Sequence, residues 1–254
     1  MKNLMALISL FFIISCGMKE TLVSNMDSIL YHKTSTKFDL DSKQKTALKA
    51  SIKKFLTAQQ KKTKEAKELI QTLDLSQKDE IAPTYRGFIE LYREIAISYS
   101  EVLADLMSTL DKKQQATFIK EFIRENKELE DKIIDSDPTD YFTRFRFFFG
   151  SINDLQKKTI VEHSDFFREQ SRHRLKNRII LLKAIEEAFK EANSKKKIYE
   201  AFRVYNTESF PKQKEMIKII KLLVDQAEQT QIKTFNEKKM EALEIIDLFA
   251  KSKY

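Results

Sequence analysis

Apolar residues along this chain recur at helical periods. Leu48, Ile52, Phe55, Leu56, Ala66, Leu69, Ile70 and Leu73 make one stripe, and Tyr85, Phe88, Tyr92, Ile95, Tyr99, Val102, Leu106 and Leu110 a second at near-heptad spacing. Ile119, Phe122, Ile123, Leu129 and Ile133 form a third; Ile179, Leu182, Ile185 and Phe189 continue a long helix that begins near Asn153. Met216, Ile220, Leu223 and Ala227, then Ile246 and Phe249, define a C-terminal helix or helix pair.

Polar punctuation marks where these helices begin. Leu40-Asp41-Ser42-Lys43-Gln44, Leu75-Ser76-Gln77-Lys78-Asp79, Leu110-Asp111-Lys112-Lys113-Gln114 and Ile152-Asn153-Asp154-Leu155-Gln156 each read as an apolar residue, a capping residue, two free positions and a residue that bonds back to the cap. Asp137-Pro138 marks a further start, with proline where its missing N–H is harmless, and Pro211 another. Pro83 is expected to kink the helix begun at Ser76 or to split off its first turns, and Gly150 to close a helix in the left-handed conformation. The starts lie 35, 35 and 42 residues apart, but only the cap recurs, so no repeat is expected. Gly and Pro number 3 each. The expected fold is therefore all-α, a bundle of six to eight antiparallel amphipathic helices over residues 38–254.

Residues 1–15 differ in kind. Lys2 precedes an apolar run from Leu4 to Ile14, shorter than the about 20 residues a membrane-spanning helix needs, and this reads as a signal peptide. Ile13-Ile14-Ser15-Cys16 resembles the bacterial lipobox, which implies lipidation at Cys16 and a membrane partner through that anchor. Cys16 is the only cysteine, so no intramolecular disulfide is available to the chain. Gly17, in place of the aspartate that marks inner-membrane retention in such lipoproteins, implies the outer membrane, facing the periplasm. Residues 16–37 are expected to form the lipidated N-terminus and a tether.

The formal net charge is +8, of which Lys2 leaves with the signal peptide. Export takes nucleic acid out of reach, so the anionic candidates are an envelope protein or an anionic envelope polymer. Two segments are denser in chemistry than the rest. Tyr141-Phe142-Thr143-Arg144-Phe145-Arg146-Phe147-Phe148-Phe149 places aromatics 141, 142, 145, 148 and 149 on one helical face, with Phe147 off it between Arg144, Arg146 and the next turn. It reads either as a core helix or as a partly exposed aromatic groove. Arg168, Arg172, Arg174, Lys176 and Arg178 crowd one helix, and Arg168, Arg172 and Lys176 recur every fourth residue, with Glu162, Asp165 and Glu169 just before. That stripe is either a solvated face or a docking surface for anions. No nucleophile elbow, phosphate-cradling glycine loop or metal-ligating cluster is present, no cofactor is expected, and binding is expected in place of bond chemistry.

Phe38-Asp39-Leu40-Asp41-Ser42-Lys43-Gln44 and Gly150-Ser151-Ile152-Asn153-Asp154-Leu155-Gln156 resemble the Phe-Asp-Leu-x-x-x-Gln and Gly-x-Leu-x-x-x-Gln segments of a family of all-helical bacterial lipoproteins without an assigned activity. Val23 to Leu30 corresponds to that family's first segment but lacks its Tyr, Asn and Trp. The resemblance implies an architecture and an address. The recurring apolar-cap-x-x-Gln is also similar to the Leu-Thr-x-x-Gln motif of periplasmic stress chaperones, which implies a holdase as the alternative to an adaptor. An enzyme acting on an envelope polymer is a third alternative.

Overall fold

The computed structural model describes residues 19–254, and every regular element among them is helical. The expected signal peptide and Cys16 lie outside the described residues. Two short helices open the described chain, α1 (Lys19–Ser24) and α2 (Met26–Ser35). They are followed by α3 (Ser42–Gln59), α4 (Thr63–Thr72), α5 (Ile81–Met107), α6 (Lys112–Ile134) and α7 (Phe142–Phe149). The remainder comprises α8 (Asp154–Glu162), α9 (Ser164–Ala188), α10 (Ser194–Thr207), α11 (Gln213–Asp225) and α12 (Gln229–Lys251).

These segments reduce to six long arms, because three arms are broken once. A 3-10 turn at Gln60–Lys62 separates α3 from α4, His163 separates α8 from α9, and Pro211 lies in the break between α10 and α11. The expected all-α bundle is thus present. Residues 19–37 do not form a tether. Val23, Met26 and Leu30 are buried in the core, and Lys19 reaches Glu244 on α12 at 2.6 Å.

Three of the four expected capping boxes form. Asp41 accepts from the Gln44 backbone N–H at 2.8 Å, Asp111 from Gln114 at 2.8 Å and Asn153 from Gln156 at 3.0 Å, and each glutamine side chain returns to the cap's N–H. Ser76 does not cap a helix. Its N–H and hydroxyl both bond the Asp74 carboxylate at 2.8 Å, which holds a turn, and the helix starts later at Ile81 with Pro83 in its first turn. A box absent from the expectation opens α12, with Glu228 as cap and Gln231 as its partner.

The four glutamines also pair with one another. The Gln44 and Gln114 amides donate reciprocally to each other's Oε1, at 3.0 and 2.8 Å, and Gln231 donates to Gln156 at 2.8 Å. Each pair ties the start of one arm to the start of another. Gln44 donates to the Thr109 carbonyl and Gln114 to the Asp39 carbonyl, each just ahead of the partner's cap; Gln231 donates likewise to the Ser151 carbonyl.

This pairing exposes an internal two-fold arrangement. In the first half, a capped arm (α3 and α4), a middle arm (α5) and a second capped arm (α6) follow in order. The second half repeats that order with α8 and α9, α10 and α11, and α12, and the closing arms α6 and α12 are each 23 residues long. Side chains at matching distances from the paired glutamines are buried in both halves: Leu40 and Ile152, Leu48 and Ile160, Phe55 and Phe167, Phe118 and Phe235. The absence of a repeat expected from the 35-residue spacing is therefore corrected, because the recurring unit is a whole half of the described chain.

The halves interlock. Arm α6 packs on α9 of the second half, α12 packs on α4 of the first, and the middle arms α5 and α10 pack on each other. Behind each glutamine pair lies its own core cluster: Leu40, Leu48, Phe55 and Phe118 belong to one, and Ile152, Ile160, Phe167 and Phe235 to the other.

Candidate functional site

The aromatic segment resolves largely as core. Tyr141 and Phe149 are buried, and Phe142 and Phe145 pack on the second cluster, where Tyr141 and Phe145 stack on Phe167 with centroids 4.9 and 5.7 Å away. Phe148 departs from the expected face and is 43% exposed. The cause is the 3-10 turn at Pro138–Tyr141, which offsets Tyr141 from the α7 periodicity and leaves Phe148 at the edge of the stripe. Phe147 is half-buried against Phe148, with Lys238 5.4 Å from its ring. Gly150 closes α7 at φ 74°, as its position after the stripe implies.

The basic helix divides into three environments. Arg178 is buried and does not join an exposed stripe: its Nε donates to Asn126 at 2.6 Å, a terminal nitrogen meets Glu125 at 2.9 Å, and its guanidinium lies 4.3 Å from the Phe122 ring centroid. Burial works to raise the Glu125 carboxyl, but the hydrogen bonds and charges of Lys37 and Arg178 outweigh it and hold the group at about 2. Arg168 is neutralised by Asp165 at 2.9 Å and leans on Ser136. Glu169, by contrast, pairs with Lys212 rather than with the stripe.

Arg172 and Lys176 are exposed and one turn apart on α9, and no carboxylate is paired with either among the described residues. Between them in sequence, half-buried Arg174 lies within electrostatic reach of Tyr205 on the middle arm α10 and of Tyr92 on α5. Burial raises the Tyr205 phenol against the pull of Arg174 and Arg178, and raises that of Tyr92 to about 12.

The two sequence features meet at this point. Arg144 of α7 lies 5.0 Å from the Tyr141 ring centroid, and its pKa is lowered by desolvation and by the positive charge of Arg174, against the pull of Tyr141 and Asp140. The Arg144 and Arg174 charges, from segments 30 residues apart, are thus within electrostatic reach of each other, and neither is ion-paired to a carboxylate among the described residues. Arg146 is exposed on the far side of α7. Like charges held together raise the electrostatic energy of the free protein, and an anion placed between planar, multi-donor guanidinium groups relieves it. Sequence spacing flagged both arginines without showing that their charges act on each other, because they stand on different helices.

No protein-family model, curated protein or solved structure matches the chain. The functional reading therefore rests on the residues. Among those described, no helix is long and apolar enough to cross a membrane, and no group of His, Cys, Asp and Glu side chains is arranged to hold a metal.

Proposed function

We propose that this chain is a lipoprotein of the bacterial envelope, held by acylated Cys16 at the periplasmic face of the outer membrane, that acts by binding an anionic partner at the Arg144–Arg174 cluster, with Arg172 and Lys176 flanking it. What supports the binding half is that Arg144 and Arg174, from separate segments, act on each other electrostatically, with neither held in an ion pair among the described residues. Ordinary solvated faces of this bundle look different: Arg124 sits between Glu121 and Glu128, and Lys127 between Glu130 and Asp131.

The anchoring half rests on the sequence before Lys19 and has a geometric consequence. Lys19 stands three residues after Cys16, is buried and is ion-paired to α12, so the leash reaches at most about 11 Å. A lipid on Cys16 would hold the α1 and α12 side of the bundle against the head groups.

The test places a photo-crosslinking residue at Arg172 in the full lipoprotein and irradiates isolated envelopes. One discrete adduct, lost in an Arg144→Glu/Arg174→Glu variant and weakened on raising salt from about 0.05 to 0.5 M, supports the reading. A broad smear of adducts favours the holdase, and an adduct indifferent to both arginines and salt overturns the proposed site. Separately, Cys16→Ser should move the chain from the membrane fraction to the soluble one; unchanged sedimentation would refute the anchor.

A further inference from the structure

The first half contains a concavity that the arginine cluster does not touch. It lies between α2, α5, α6 and α10, with an enclosed part of about 90 Å³ and about 810 Å³ when counted out to its open mouth. Leu30, Leu103, Met107, Phe118, Phe122 and Phe202 supply its apolar wall.

Several of the polar side chains that face it are hydrogen-bonded to protein. The Thr34 hydroxyl donates to the Leu30 carbonyl at 2.8 Å and shares a hydrogen bond with the Tyr99 phenol. The Ser100 hydroxyl donates to the Ala96 carbonyl at 2.8 Å and accepts from the Asn206 amide at 3.0 Å. An internal water needs two to four polar partners, and Thr34, Tyr99, Ser100 and the Asn206 amide nitrogen are already engaged, which leaves the apolar wall as the larger part of the lining. The inner space of about 90 Å³ is below the about 150 Å³ that accommodates a benzene-sized ring, so it takes only the terminal carbons of an alkyl chain, the remainder lying along the open mouth.

The mouth is cationic. Lys33 of α2 lines it and has no ion pair among the described residues, and Lys37 lines it while bonded to Glu125 of α6. Arg178 of α9, buried and outside the lining, holds the same carboxylate, so the cation at the mouth without an ion pair is Lys33. An apolar slot beneath an unneutralised lysine matches an amphiphile with an anionic head.

We infer that this concavity is a binding site for the single hydrocarbon chain of an anionic amphiphile, with the chain entering between α2 and α5 and Lys33 meeting the head group. The inference goes beyond the arginine-cluster reading and is independent of both that cluster and the lipid anchor.

The test titrates the full Cys16→Ser chain with dodecanoate, dodecyltrimethylammonium and lysophosphatidylglycerol below their micellar concentrations, by calorimetry. Dodecanoate or lysophosphatidylglycerol should bind at one per chain and about tenfold or more tighter than the cationic amphiphile, as expected for one charge-assisted contact. The tighter of the two anions identifies the source as a free fatty acid or a lysophospholipid. Lys33→Glu should abolish that preference without altering the thermal melt, because Lys33 is half-buried and unpaired; Leu103→Trp at the rim should weaken all three probes. Absence of saturable binding below about 1 mM, or anion binding unaffected by both substitutions, would overturn the inference and leave the space to water.

Discussion

The glutamine pairs make a quantitative prediction that separates them from ordinary helix caps. In Gln44 both amide hydrogens are donated, to the Thr109 carbonyl at 2.8 Å and to Gln114 at 3.0 Å; its oxygen accepts from the Asp41 N–H at 3.0 Å and from Gln114 at 2.8 Å. All four hydrogen-bonding positions of the amide are therefore in use, in a buried site. A cap substitution alone typically costs ~1 kcal/mol. Gln44→Ala instead removes four bonds of about 0.5–1.5 kcal/mol each and strands buried partners, so the expected loss is about 3–4 kcal/mol. Because two of the four bonds are shared, the Gln44→Ala/Gln114→Ala double variant should lose about 1–2 kcal/mol less than the sum of the singles. Gln44→Ala with Gln231→Ala touches two different pairs and should be additive within about 0.5 kcal/mol. Urea unfolding followed by far-ultraviolet circular dichroism measures all of these, and the interlocked halves should unfold in one transition. A Gln44→Ala cost near ~1 kcal/mol, or coupling as large between pairs as within one, would show that the glutamines are independent caps.

Three further outcomes follow from local geometry. Gly150→Ala should destabilise by about 1–2 kcal/mol in urea melts, because φ is 74° and a Cβ would meet Thr234 Cγ2 at 2.8 Å. Gly87→Ala within α5 should change stability far less: the atom it would meet is the end of the Leu69 side chain, at 2.4 Å, which can rotate away, while the helix gains about 1 kcal/mol of propensity. For Glu125 the folded pKa of about 2 lies below the ordinary 4.5, so its contribution is complete above about pH 4.5 and is lost as pH falls toward 2. Solvent screening of this part-exposed group limits the effect to about 1–2 kcal/mol; the wild type should lose that much more than Glu125→Gln over the interval, and parallel pH profiles would refute the ion-pair assignment.

Local chemistry was legible in the sequence and long-range pairing was not. Asp41, Asp111, Asn153, Asp137 and Gly150 act within a few residues of themselves, so spacing alone located them. Ser76 misled because Asp74, two residues earlier, competes for the same hydroxyl and N–H, and Glu228 was missed because glutamate is not among the strongly preferred capping residues. The duplication was hidden for a different reason. What recurs between halves is an apolar residue, a glutamine and a few core positions, too sparse to stand out until Gln44 is seen against Gln114 and Gln156 against Gln231. Of the three cations expected on one outward stripe, Arg172 and Lys176 are exposed, whereas Arg168 is half-buried between Asp165 and Ser136. Arg174 and Arg178 occupy another stripe, shared with buried Leu181 and Leu182, and only contact with α6 and α10 reveals where they point.

Two halves built on one frame make the differences between them informative. The glutamine pairs and the core residues at matching positions hold the arms in the same order twice, so they account for the fold and leave the specific features to what is not repeated. The segment ahead of the first cap is where the halves diverge most. In the first half it is α2, whose Leu30 and Thr34 leave a concavity with Lys33 at its mouth. In the second half it is α7 with its preceding turn, where Tyr141, Phe145 and Phe149 pack in the core and Arg144 lies over the Tyr141 ring within electrostatic reach of Arg174. The same structural position thus carries an apolar slot in one half and an aromatic wedge bearing an arginine in the other. Substitutions in the shared frame should therefore appear as lost stability, and those in α2 or α7 that spare the core as altered binding, which is the division that the glutamine and lysine variants are designed to separate.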